Sequence, residues 1–483
     1  MAEMHAPLFA DPAVEGTFAK LIATTGSIPA TWEPFAPIAL HHQPGFASIT
    51  AAIHLLSGVP IPRVILVLSA LVHVMFPLAV YVLADRYLPQ RDAIIAAFVA
   101  VLAAFPTYSF VAGMNSANLG FFMAVVLAAL SIRYLNSPED RMLPVLALLA
   151  AGTVLVHPLG LVVYAFLAAP AAVRQLLAAG PARVERLRPL GLLGAATAVL
   201  PVTLSLPHYL PLLRGGGELA AEQFAIQSGY ILPDGGLSLF HLVEPFYVNF
   251  LNRGGGWYVP VDAAMTAAVS NPVATILLIA AAATVYRGCR KWDRAVIAAL
   301  TWYGVFLVFS TVQAAARVEF PLHSFIYPSR IKFLFAIPIA VLSAASLREV
   351  TVDVRGRTVP VLLAAVLVLS PVGLYAVFSH MNTLAADPVV AETDREAIQW
   401  LDGNADEDAL VLNTLTDVEA GAFIGGPAQW IPAYTGNPVV FPATSITGNV
   451  SQLQERRRFM QALRNGDGDR FTALLKEYGV SYI

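Results

Sequence analysis

Long apolar blocks, rather than amphipathic stripes, dominate this chain. Windows of about 20 residues, the length that carries a helix across a hydrocarbon core, lie near 63–85, 92–112, 118–135, 142–156 and 158–176. Five more lie near 189–212, 272–286, 294–314, 331–347 and 358–379. In hydrocarbon a backbone must satisfy its own donors, so blocks of this length predict helices. The fourth and fifth are parted only by His157-Pro158. Proline removes a backbone donor there, which leaves two spans or one broken pair as readings. Past residue 383 the pattern changes. Residues 391–403 have helical spacing, Ala409–Leu412 and Gly479–Ile483 read as strands, Trp430–Phe441 as extended, and 451–464 and 468–477 as polar helices. Alternating strand and helix predicts a small α/β domain.

Charge in the connecting loops orients the spans. Arg86 and Arg91, then Arg133 and Arg141, then Arg174, Arg183, Arg186 and Arg188 occupy every second loop. Arg287, Arg290, Lys291 and Arg294 continue the series, and Arg348, Arg355 and Arg357 end it. By the positive-inside rule these loops face the cytoplasm. The alternate stretches 1–62, 107–118, 214–271 and 315–330 then face outward, with the C-terminal domain. Three regions follow: a first outer loop with interfacial helices (1–62), a membrane domain of about ten helices (63–380) and an extracytoplasmic α/β domain (381–483). An outward start with no preceding apolar segment predicts a further span encoded upstream of Met1. The final strand likewise reads as cut at its end.

The chain is 57% hydrophobic and 13% charged over 483 residues, well short of the charge of soluble domains. A net charge of −3 without a basic tail gives nucleic acid no footprint. The single cysteine, Cys289, excludes an internal disulfide and falls in a basic, inward-facing loop.

Candidate chemistry concentrates in the outward segments. Asp11 and Glu15 stand four residues apart with Pro12 between them, which suits a helix start with both acids on one face. They read as a capping aspartate with a solvated glutamate, or as a carboxylate pair able to take a proton or hold a divalent ion. Residues 26–46 read as a loop carrying four prolines and the adjacent His41 and His42. Neighbouring histidines point apart in extended backbone, so interfacial packing suits them better than a shared metal. Arg317, Glu319, His323, Tyr327 and Arg330 gather before the ninth block, on the side where Arg should be scarce. Phosphate recognition or the anchoring of a helix end would each put them there. His157 reads as a buried histidine, and Trp430 as a core aromatic or a platform for a sugar face.

In their order along the chain these motifs resemble the multispanning GT-C glycosyltransferases, those related to oligosaccharyltransferase catalytic subunits and protein mannosyltransferases. The carrying residues are Asp11, Leu21–Pro29, Pro44-Gly45-Phe46, His157-Pro158, Tyr327-Pro328-Ser329-Arg330 and Trp430–Gly436. The resemblance implies a mainly α-helical, GT-C-like polytopic membrane protein with a small C-terminal α/β extracytoplasmic domain. It implies a polyprenyl-phosphate-linked sugar donor and inversion at the anomeric carbon. Asp11, with Glu15, would act on the acceptor or hold a divalent metal (Mg or Mn), and Arg330, with Arg317, would bind the donor phosphate. His41, His42, His157, Glu319, His323, Tyr327 and Trp430 would line the substrate cavity. Two departures stand out. Tyr108–Asn118 offers only Asn115 and Asn118 where many relatives carry a second acid, and Trp-Trp-Asp is absent. Transfer of a whole glycan to asparagine is therefore disfavoured, leaving a lipid, glycan or protein acceptor. A transporter or flippase, or a non-catalytic polysaccharide assembly protein on the same scaffold, are the competing readings. Few charges fall mid-span, which counts against transport.

Overall fold

The computed structural model describes residues 10–39, 42–102, 114–178, 183–215, 242–243, 245–246, 272–291, 293–312, 328–346, 351–355, 357–360, 364, 390, 392–406, 408–412, 427–440, 458–459, 461–463 and 465–483. They fall into two compact units. One comprises Met1–Leu71, Phe110–Ser116 and Thr383–Ile483, the other Val72–Ser109 and Ala117–Asn382.

In the first unit, α1 (Ala10–Thr25) opens with Pro12 in its first turn, and Gly26 follows it at φ 69°. Asp11 therefore lies inside the helix and not at the N-cap the sequence suggested. Ala13, Val14, Phe18 and Ala19 are fully buried, and α1 packs against α2 (Pro44–Ser57). Between these helices, residues 26–46 are not all loop. Thr31–Trp32 (β1) and Ala36–Ala39 (β2) pair antiparallel. Trp32 is buried against Phe18, with ring centroids 5.6 Å apart, which supplies the apolar anchor that holds this short hairpin.

The C-terminal stretch belongs to the same unit. Here α13 (Glu392–Asn404), β5 (Leu410–Val411), α14 (Ile431–Tyr434), α15 (Gly468–Tyr478) and β6 (Val480–Tyr482) form the α/β part. β5 and β6 run parallel over a core of Leu412, Val440, Phe459, Ala462 and Leu474. The extended reading of Trp430–Phe441 fails at its start, because Pro427–Trp430 is a 3-10 turn that runs into α14. Gly16 explains the packing there. A methyl added to it would stand 3.0 Å from Ala433 Cβ and 3.2 Å from Trp430 Cζ3, so glycine here lets α1 and α14 pack closely without their neighbours giving way.

The second unit is helical. It takes up most of α3 (Ile61–Ala84) and α5 (Asn115–Asn136), and holds α4 (Gln90–Val101), α6 (Leu143–Val156), α7 (Pro158–Leu177), α8 (Arg183–Gly215), α9 (Pro272–Lys291) and α10 (Arg294–Leu307). α10 continues as a π-helical turn, Val308–Val312. The short α11 (Pro328–Ile331) then passes through a 3-10 turn into α12 (Ala336–Ser346). α12 is buried almost throughout, packing on α4, α9 and α10. The Trp302 indole donates to Leu167 O at 3.0 Å and ties α10 to α7.

Among the described residues, Ile61–Ala84, Asn115–Asn136, Pro158–Leu177, Leu187–Pro207 and Arg294–Thr311 are long and apolar enough to span a membrane. The chain is a helical polytopic membrane protein with a small C-terminal α/β part. The block at 358–379 needs correction at its start. Arg357–Pro360 is strand β4, paired with β3 (Thr351–Val354), and the β-branched Thr358 and Val359 suit that hairpin. Most of the rest of that block lies outside the described residues.

Candidate functional site

Of the candidate residues, His41, Arg317, Glu319, His323 and Tyr327 lie outside the described residues. Asp11 is placed by its backbone in the first turn of α1. Glu15, His42, His157, Arg330 and Trp430 are fully described.

Glu15 is buried, not solvated. It is 2% exposed and lies one turn along α1 from Asp11. Its Oε2 accepts from Asn115 Nδ2 at 2.9 Å and its Oε1 from the Ser116 backbone N–H at 3.0 Å. Both donors open α5, so the carboxylate faces a helix N-terminus, where unsatisfied amides and the macrodipole favour negative charge. The Ser69 hydroxyl donates to Asn115 Oδ1 at 2.6 Å, which turns the amide nitrogen toward Glu15. Asn115 is one of the two asparagines, with Asn118, that the stretch Tyr108–Asn118 offers in place of an acid. Spacing alone did not reveal its role, because its partner is 100 residues away. Each Glu15 oxygen thus accepts a hydrogen bond with one of its two lone pairs. Among the described residues no group of three or more His, Cys, Asp or Glu could hold a metal.

His42 sits in the aromatic cluster of this unit, with ring centroids 6.2 Å from Phe18 and 6.5 Å from Trp32. That is the packing reading. Trp430 is fully buried beside Gly16, with Tyr434 edge-on at 6.4 Å, so it belongs to the core and does not offer a face to solvent. Burial also pushes the Tyr434 hydroxyl up to about 12, which keeps it a neutral phenol. Lys20 Nζ donates to Tyr434 O at 3.2 Å and joins α1 to α14.

In the second unit the His-Pro break separates two helices. His157 ends α6 and caps α7 in extended backbone (φ −162°, ψ 117°). Its N–H donates to Thr153 O at 2.9 Å, and its carbonyl accepts from Gly160 N at 2.9 Å. The residue is 1% exposed, with the Phe121 ring at 6.2 Å. Close helix crossing holds it there. A methyl on Gly120 would lie 2.8 Å from His157 Cβ, and one on Gly160 would lie 2.8 Å from Gly120 O. Arg330, half-buried on α11, places Nη1 2.8 Å from His157 Nε2. The α11 turn itself packs on the π-helical turn at Val308–Val312. Two residues beyond Arg330, Lys332 is also buried, which the sequence reading did not single out. A cation at a membrane helix start was the signal available for it.

The structure is similar to that of the archaeal oligosaccharyltransferase AglB from Archaeoglobus fulgidus in complex with an inhibitory peptide and a dolichol-phosphate. The match has a TM-score of 0.53 at 14% identity and covers 91% of this chain and 61% of that one. The apo crystal structure of the Archaeoglobus fulgidus oligosaccharyltransferase gives the same values. The form tethered to an acceptor peptide gives 0.53 at 13%, covering 91% and 60%. This chain therefore shares the fold of a GT-C enzyme and spans about three-fifths of the length of the oligosaccharyltransferase chains it matches. No protein-family model matches the sequence, and neither does any curated protein.

Proposed function

We propose, from the GT-C fold shared with archaeal oligosaccharyltransferase, that this chain is a membrane glycosyltransferase. It moves a sugar from a polyprenyl-phosphate-linked donor to a lipid, glycan or protein acceptor on the outer face of the cell membrane. The observation that carries the reading is the fold, and the dolichol-phosphate in the archaeal enzyme's complex supports a lipid-linked donor. Arg330 supports it. Guanidinium stays charged at any working pH and presents a planar donor fork to phosphate.

In the proposed reaction the acceptor oxygen bonds to the anomeric carbon as the bond from that carbon to the phosphate oxygen breaks. The configuration inverts. Asp11 takes the acceptor proton, and the polyprenyl phosphate leaves against Arg330. Glu15 is assigned a positioning part, because both its oxygens already accept hydrogen bonds from the start of α5.

One observation favours a second reading. The stretch Tyr108–Asn118 carries no acid and offers only Asn115 and Asn118, which suits a non-catalytic assembly protein on the same scaffold. A single assay separates the two: transfer of labelled sugar from a polyprenyl-phosphate donor by the purified full chain. Turnover supports the enzyme, whereas donor binding without turnover under any acceptor extract supports the scaffold.

A further inference from the structure

We propose that His157 is the positioning residue for Arg330, holding the guanidinium ready for a lipid phosphate; this rests on the donor-phosphate reading above. A guanidinium carries donors only. A contact of 2.8 Å from Arg330 Nη1 to His157 Nε2 therefore requires a lone pair on that nitrogen, so the imidazole is neutral with its proton on Nδ1. A neutral acceptor orients the guanidinium by a hydrogen bond and adds no charge of its own.

The holder is itself fixed. His157 is 1% exposed at the α6–α7 break, with its backbone N–H and carbonyl both bonded, and Gly120 passes against its Cβ too closely for any side chain there. Arg330, by contrast, is only half-buried and sits on a single helical turn. The imidazole is 173 residues away in sequence and gives the guanidinium a partner outside its own turn. Ordering a long side chain in advance removes part of the cost of binding, here expected to be worth about three- to tenfold in affinity.

The test measures the Kd of farnesyl phosphate on the full chain in nanodiscs, with each variant checked by its thermal unfolding temperature. His157→Phe keeps a ring without an acceptor and should weaken binding about three- to tenfold. His157→Asn, whose amide ends short of the Nε2 position, is the second variant lacking the acceptor. His157→Gln places an amide oxygen near Nε2 and should restore binding to within about twofold, a rescue that a merely structural role would not produce. Arg330→Gln should lose about tenfold or more, and His157→Phe should then have no further effect. Unchanged binding in both acceptor-free variants, failure of His157→Gln to rescue, or an equal loss on the Arg330→Gln background overturns the positioning role while leaving the phosphate reading intact. Wild-type affinity in Arg330→Gln overturns the phosphate reading, and this inference with it.

Discussion

Gly120→Ala, compared with Gly152→Ala, probes the helix crossing that fixes the site. Both glycines lie inside helices, Gly120 in α5 and Gly152 in α6, so the gain in helix propensity, about 1 kcal/mol, cancels between them. What remains is space. At Gly152 the new methyl meets Met123 Cε at 2.8 Å, the tip of a side chain with several rotatable bonds. At Gly120 it meets His157 Cβ at the same 2.8 Å, an atom bonded to backbone that is hydrogen-bonded on both sides. Carbon atoms rest at about 3.5–4.0 Å, so roughly an ångström has to be found by moving α5 away from the α6–α7 break. Overpacking of this kind costs about 1–3 kcal/mol. Gly152→Ala should match or exceed the wild-type unfolding temperature in detergent, while Gly120→Ala should unfold lower. Gly120→Ala should also weaken phosphate-lipid binding through His157. Equal stability of the two variants would refute the claim that the crossing is tight.

Two further predictions concern the buried carboxylate and the orientation. Glu15→Ala leaves the Asn115 amide and the Ser116 N–H buried without their acceptor, at about 1–3 kcal/mol for each group. Thermal unfolding should drop clearly in Glu15→Ala and less in Glu15→Gln, and a Glu15→Ala protein as stable as wild type would contradict the structural role. Cys289 is exposed and is the chain's single cysteine, so a membrane-impermeant maleimide should label it in inside-out vesicles and not in intact cells. Labelling of intact cells would reverse the assigned orientation.

What could be read from the sequence follows the range of each interaction. The apolar blocks at 63–85, 118–135 and 158–176 became helices Ile61–Ala84, Asn115–Asn136 and Pro158–Leu177, because membrane helices satisfy their backbones locally. The His157-Pro158 break was equally visible, since proline acts on its own neighbours. The short hairpin over Thr31–Ala39 was not, because its hold is the tertiary burial of Trp32. Trp430–Tyr434 misled for a related reason. Its proline sits in the first turn of α14, where it suits a helix, and the packing of α14 on Gly16 is invisible in a local window. The partners of Glu15 and Arg330 lie 100 and 173 residues away. Residue type flagged both side chains as chemistry, but spacing could not reveal that one clamps a helix start and the other rests on an imidazole.

The central claim is that a chain with this fold transfers sugar, with Asp11 as its base. The direct measurement is the transfer rate from a polyprenyl-phosphate sugar donor, wild type against Asp11→Asn, each purified whole and shown to unfold at the same temperature. The account predicts turnover in the wild type and a loss of about 10²–10⁴-fold in Asp11→Asn, the range expected for removing a general base, with donor binding kept. An Asp11→Asn protein that transfers at the wild-type rate would contradict it.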